Sequence, residues 1–142
     1  RIKASLPTIQ ALLEKGADVL AQHQDSTATG LAAEAAGAKW ISYHTAYGQD
    51  SAPEAFVTAP VWDWGPYYVN IVEQIIDGTF TTESYWGGME TGLVSLYDLS
   101  SDVPSDTATL IAEKTEAIID GTLEVEIVEE EFISNVIGTV NP

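Results

Sequence analysis

Four short groups in this 142-residue chain carry side chains that could do chemistry or hold a ligand. The densest is Val61-Trp62-Asp63-Trp64-Gly65-Pro66-Tyr67-Tyr68-Val69-Asn70, with four aromatics and one carboxylate around a helix start. Trp62 and Trp64 offer flat faces that can stack on a planar ring or pack against a sheet. Asp63 can cap the helix behind it, bond a ligand, or do both. Asp25 and Ser26 form the second group: a short carboxylate and a hydroxyl at another helix start, suited to capping or to a polar ligand group such as a hydroxyl. Tyr43, His44 and Thr45 form the third, where His44 can donate or accept, or simply stand in an exposed loop. The fourth is Trp86, Gly87 and Gly88. Paired glycines let backbone come close to a ligand, and they also make ordinary turns.

These groups do not add up to a catalytic machine. Asp25, Ser26 and His44 are the residue types of a triad, yet no G-x-S-x-G elbow accompanies them. Gly87-Gly88 is too short for a phosphate loop. Two His without ligand spacing, and carboxylates spread along the chain, make no metal site. His23 lies on or near a strand and reads as packed. The expectation is a binding protein with no catalytic residues, no metal and no cofactor.

Positioning such groups requires strands that end beside them. Leu6, Ile9, Leu12 and Leu13 recur at helical spacing up to Gly16, and 17–21 then reads as a short buried strand. Asp25, Ser26 and Thr27 precede an alanine-rich helix to about Ala36, and 40–43 reads as the next strand. A loop over 44–54 leads to a strand at 55–59 and then to the Trp62–Asp77 unit. In that unit Tyr68, Ile71, Val72, Ile75 and Ile76 form one apolar face that stops at Gly78. A strand at 92–96 and a helix from Val103-Pro104 to Gly121 follow. Ile75-Ile76-Asp77-Gly78-Thr79-Phe80 is echoed by Ile118-Ile119-Asp120-Gly121-Thr122-Leu123, read as one helix-exit chemistry used twice. Strands alternating with helices imply an α/β domain, a parallel sheet with helices on both faces. Residues 25–27, 43–47, 62–64 and 86–88 each follow a strand, so they should converge on one sheet edge, where ligands bind in such folds.

Composition sets the outer limits. Twenty-two acidic against five basic residues give a net charge of −17, which opposes nucleic acid and anionic membrane but not an uncharged solute. That surface suits a salt-rich, halophilic or marine source, or serves solubility alone. Zero Cys excludes disulfides and thiolate metal sites. No apolar run approaches the ~20 residues of a membrane span.

The chain resembles the basic membrane protein (BMP) family of solute-binding lipoproteins, receptors of ABC importers for purine nucleosides. The resemblance rests on the Trp62–Asn70 segment, on Gly16-Ala17-Asp18-Val19-Leu20-Ala21-Gln22-His23-Gln24-Asp25-Ser26, and on Asp77-Gly78-Thr79-Phe80 with Tyr85-Trp86-Gly87-Gly88-Met89. It covers roughly residues 8–123. It implies one lobe, the C-terminal one, of a type I periplasmic-binding-protein fold over 1–123. Residues 124–142 would be a hinge-crossing or edge-strand tail, with strand-like Leu123–Val128 and Glu131–Val140. The ligand-binding set it implies is Asp25, Ser26, Tyr43, His44, Trp62, Asp63, Trp64, Trp86, Gly87 and Gly88. Family members often carry an acidic residue near position 44, so His44 is a departure that bears on ligand identity. The expected partners are a small molecule of the purine nucleoside class, a missing N-terminal lobe, an ABC permease, and a second copy through the exposed cleft edge and tail. The full-length protein would be a periplasmic or extracellular lipoprotein, with this chain a fragment of it. A ligand-sensing or structural module that reuses the lobe without transport is the alternative.

Overall fold

The computed structural model describes residues 2–126. Its elements run α1 (Ile2–Glu14), β1 (Val19–Ala21), α2 (Ala28–Ala35), β2 (Lys39–Ile41), α3 (Gly48–Ser51), β3 (Phe56–Thr58), β4 (Pro60–Trp62), α4 (Gly65–Asp77), β5 (Val94–Leu96) and α5 (Ser105–Ile119). The α/β class and the parallel sheet hold: β1, β2 and β3 pair in parallel in that order. The short helix α3 falls inside the stretch expected to be loop.

One buried residue organises this sheet. Trp40 on β2 is fully buried, with Leu20 of β1 and Phe56 of β3 beside it in register. Its indole lies edge-on to Phe56, centroids 6.1 Å apart, and Phe56 meets Tyr97 at 6.2 Å. Two glycines admit it. A Cβ on Gly30 of α2 would stand 2.3 Å from the indole, and one on Gly48 of α3 would stand 2.6 Å from it. Both helices therefore cover this face, with Ile9 of α1 joining the same core. The Glu34 side chain of α2 then accepts from the Glu54 and Ala55 amides at 2.9 and 3.2 Å, tying the helix to the start of β3.

The sheet departs from the expected pattern at two places. Residues 17–21 do not form a strand buried on both faces. β1 is an edge strand in which Leu20 is buried and Val19 is 51% exposed. The strand expected at 55–59 is present as β3, but a further short strand, β4, follows at once over 60–62, where none was expected. Pro60 has no N–H to donate, so it breaks the parallel ladder and begins a second, two-stranded sheet. There β4 pairs antiparallel with β5, Trp62 opposite Val94.

α4 begins and ends where its sequence signals lie. Asp63 Oδ1 accepts from the Gly65 amide at 3.0 Å, and Pro66 sits in the first turn. Gly78 ends the helix at φ 71°, and Gly121 stands after α5 at φ 76°. The Thr79 hydroxyl donates to the Gln74 carbonyl five residues back, and the Thr122 hydroxyl stands in the same relation to the Ala117 carbonyl at 3.3 Å while giving its proton to Asp120. The two echoed segments thus share one exit. Neither α4 nor α5 has a buried residue, and Val69, Val72, Ile75 and Ile76 of α4 are exposed.

The tail is described only to Glu126. Residues 123–126 form no strand, because the Leu123 amide is taken by the Ala117 carbonyl at 2.8 Å in the helix exit. The remainder, including strand-like Glu131–Val140, lies outside the described residues.

Two expected outcomes follow from these contacts. Gly30→Ala gains up to about 1 kcal/mol of helix propensity. Overpacking the indole costs about 1–3 kcal/mol, at the upper end here because the ring has nowhere to move. Urea unfolding should show a net loss, and an unchanged or higher midpoint would contradict the packing. At the α5 exit, the Thr122 hydroxyl and amide bond Asp120 and hold its carboxyl below the ordinary aspartate value. The folded value being lowered, this support is full above the ordinary value and is lost as pH falls through the depressed one. A carboxyl NMR titration should place Asp120 low, and Thr122→Val should raise it.

Candidate functional site

The parallel strands β1 and β2 deliver their following residues to the same end of the sheet. After β1 come Gln22 to Ser26; after β2 come Ser42, Tyr43 and His44; β4 delivers Trp62, Asp63 and Trp64. The rings among them form a continuous row. His23 meets Tyr43 at 4.4 Å, Tyr43 meets His44 at 3.7 Å, and His44 meets Trp62 at 5.3 Å. Trp62 stacks toward Trp64 at 6.5 Å, Trp64 meets Tyr67 at 5.8 Å, and Tyr67 stacks on Tyr85 at 4.3 Å. Trp62 and Trp64 are 39% and 40% exposed, so one part of each indole is held and another part is open.

His44 is the joint of this row. Its backbone bridges to Val61, and the Trp62 indole N–H donates to its Nδ1. It is also the non-glycine residue with a left-handed backbone among those described, at φ 63°. Such a conformation is costly outside glycine and persists where the surroundings enforce it.

The loop after β1 is fastened to the core by a residue that sequence reasoning passed over. Gln22 accepts from the buried Trp40 indole at 3.2 Å and donates to the Gln24 and Ser26 carbonyls at 2.8 and 2.5 Å. Only the pairing of a long amide with a buried indole reveals this role, and that pairing is not visible along the chain. Ser26 Oγ in turn accepts from the Ala28 amide at 3.2 Å in the turn before α2, while Asp25 is exposed. Tyr67 and Tyr85 were likewise missed as members of the row.

The fourth group does not follow a strand as expected: residues 86–88 come after α4 and before β5, and lie at the margin. Gly88 accepts from the Val94 amide at 3.3 Å, and Val94 pairs with Trp62, so this loop runs beside β4. A Cβ on Gly87 would crowd Tyr85 and Thr91, and the Gly88 amide bonds Glu90 at 3.0 Å, so both glycines serve the turn. Trp86 is 89% exposed and borders a groove with Met89, Ile118 and Leu123 instead of joining the aromatic row.

Electrostatically the edge carries rings and carboxylates. Lys39 stands at the opposite end of β2, where it donates to the Glu54 carbonyl at 2.9 Å and pairs with Asp102. Among the described residues no group of His and carboxylates is arranged to hold a metal. None of their helices is long and apolar enough to cross a membrane. A row of rings flanked by hydrogen-bonding groups can grip a planar or hydroxylated, uncharged solute.

Several known proteins are similar to this chain. A purine-binding protein of Brucella abortus is 39% identical over 115 residues, 78% of this chain and 31% of that protein. A putative ABC transporter glucose-binding protein of Haloferax volcanii is 35% identical over 115 residues, 81% of this chain and 29% of that protein. The chain thus spans under a third of the length of these curated relatives. Among solved structures, a transcriptional activator of the comK gene from Bacillus halodurans matches at TM-score 0.77 and 20% identity, over 88% of this chain and 44% of that one. An ABC transporter solute-binding protein from Conexibacter woesei matches at TM-score 0.70 and 23% identity, over 88% and 42%. The fold is therefore one lobe of a periplasmic-binding-protein architecture. With the model of PnrA-like ABC transporter substrate-binding proteins matching residues 4–129, the chain belongs to the Bmp family.

Proposed function

We propose that this chain forms one wall of the ligand cleft in the solute receptor of an ABC importer, and that the cargo is a purine nucleoside or nucleobase. The row of rings from Tyr43 through His44 and Trp62 to Trp64, on the edge where strands end, carries this reading. Indole and phenol faces stack on a heteroaromatic ring. Asp25, Ser26, His44 and Asp63 stand by to bond a base edge or ribose, and the carboxylates disfavour an anionic cargo. The purine-binding relative supports the same class. A sugar is the second reading, favoured by the glucose-binding relative and by the way hydroxylated rings also lie on aromatic faces. The reaction is binding without chemistry: a second lobe closes about a hinge and buries the solute. The receptor would work outside the cytoplasmic membrane as a lipid-anchored protein, handing cargo to a permease. Permease and ATPase genes beside its own gene would favour import over sensing.

Calorimetry on the receptor that carries this lobe, against nucleosides, nucleobases and glucose, tests the proposal. Purine nucleosides should bind, and glucose alone binding would replace the cargo. The isolated chain offers one wall, so it should bind nucleosides at about millimolar or weaker, roughly 4 kcal/mol. Submicromolar binding by the chain alone would show that the site is complete within it.

Alone, the chain should also self-associate. The open indoles of Trp62, Trp64 and Trp86 and the apolar face of α4 favour association, while the charge of −17 opposes it. Salt screens that repulsion as the Debye length falls to about 10 Å or less. Sedimentation should therefore show tighter association in high salt, and a monomer throughout the series would refute it.

A further inference from the structure

We propose that the groove beside Trp86 is the seat of this chain's own C-terminal segment, residues 127–142, which adds a strand to the outer edge of β5. The first support is a row of open hydrogen-bonding groups. Val61 of β4 lies opposite Ser95 of β5, and the flanking bonds run from the Asp63 amide to the Leu93 carbonyl and from the Tyr97 amide to the Ala59 carbonyl. Bonded residues alternate in an antiparallel pair, so Leu93, Ser95 and Tyr97 face β4, while Val94 and Leu96 turn their backbone groups outward. The Val94 amide is taken by the Gly88 carbonyl at 3.3 Å. Among the described residues no strand lies on that side, and the Leu96 amide and the Val94 and Leu96 carbonyls have no backbone partner. Such an edge is a template for one more strand.

The second support is apolar surface along the same edge. Trp86, Met89, Val94, Ile118 and Leu123 line a groove of about 580 Å³, and Trp86 is 89% exposed. The third is where the description stops. Leu123 and Val125 line this groove, and Glu126 is the last described residue, so the segment beyond it starts at the groove's rim. Leu123, Val125 and Ile127 alternate with Glu124 and Glu126, the period-2 pattern of a strand with one apolar face. Phe132, Ile133, Val136, Ile137 and Val140 follow, residue types that favour strands. The six residues from Ile127 to Phe132 reach about 20 Å when extended, enough to pass a three-residue strand or to turn back along it. A second copy is the competing occupant. It brings another net charge of −17, whereas a segment tethered at the rim acts at an effective concentration of about millimolar. With Trp86 covered in this way, self-association falls to Trp62, Trp64 and α4.

The chain has no Cys, so Asn135→Cys gives a single attachment point for a nitroxide. In the 142-residue chain labelled with nitrogen-15, the nitroxide should broaden the Trp86 indole and the Leu96 amide far more than the Ala33 amide of α2. Mixing nitroxide-bearing chain without isotope into isotope-labelled chain without nitroxide should leave those signals sharp. Equal broadening in the mixture would hand the groove to a second copy and overturn the assignment. Broadening at Trp86 and Leu96 no stronger than at Ala33 would overturn it too. Amide hydrogen exchange tests the added strand directly. The Leu96 amide should exchange about tenfold faster in a chain ending at Glu126 than in the full chain, the loss expected for one edge hydrogen bond. The Trp40 amide, bonded to the Ala55 carbonyl in the core, reports that the shortened chain is folded. Equal exchange at Leu96 in the two chains, with Trp40 still protected, would overturn the strand. If the shortened chain does not fold, the nitroxide measurements on the full chain decide alone.

Discussion

The close seating of the Trp40 indole against Gly30 and Gly48 is the constraint on which the remaining order depends. A fully buried Trp at the middle of a three-residue strand brings far more apolar area than the strand could bury alone. It holds β1 and β3 through Leu20 and Phe56 and sets how closely α2 and α3 approach. Its single polar atom cannot be left unpaired in that interior. Gln22 satisfies it and, with the other end of its amide, fastens the loop carrying Asp25 and Ser26. Packing in the core and the placing of the candidate ligand loop are thus one structural fact, with two hydrogen-bonding ends.

Much of the fold was legible because its signals are local. Gly78 and Gly121 mark helix exits that only a left-handed residue completes, and the shared threonine makes the two exits chemically alike. Asp63 and Pro66 likewise declare the start of α4. What could not be read depends on partners distant in sequence. The split between β3 and β4 needs both Pro60, which is visible, and the antiparallel strand β5, more than thirty residues on, which is not. Val19 looks as apolar as Leu20, and only its edge position and side-chain alternation decide that one is exposed and the other buried.

The candidate site follows the same division. Groups succeeding parallel strands gather at one end as a matter of topology, which brings Tyr43 and His44 to this edge, whereas Trp62 and Trp64 reach it from β4 of the antiparallel pair. Which rings touch is a matter of side-chain reach. Tyr67 and Tyr85 extend the row, whereas Trp86, the neighbour of Tyr85, lies by a different groove. The Gly87-Gly88 pair looked equally suited to a ligand or a turn, and its contacts with Tyr85, Thr91 and Glu90 are those of a turn.

The distribution of exposure gives the chain its character. A core built around one Trp coexists with an α4 whose Val69, Val72, Ile75 and Ile76 face outward, although their spacing is that of a buried helix face. Helical spacing of that kind is normally matched by a surface that covers it, yet among the described residues none buries this face. The half-open Trp62 and Trp64 differ in kind, because they stand beside hydrogen-bonding groups such as His44 and Asp63. Exposed apolar residues in this lobe therefore fall into two classes. Those on α4 lack polar partners and need only apolar cover. Those on the strand edge stand among donors and acceptors, and the solute-binding proposal rests on that difference.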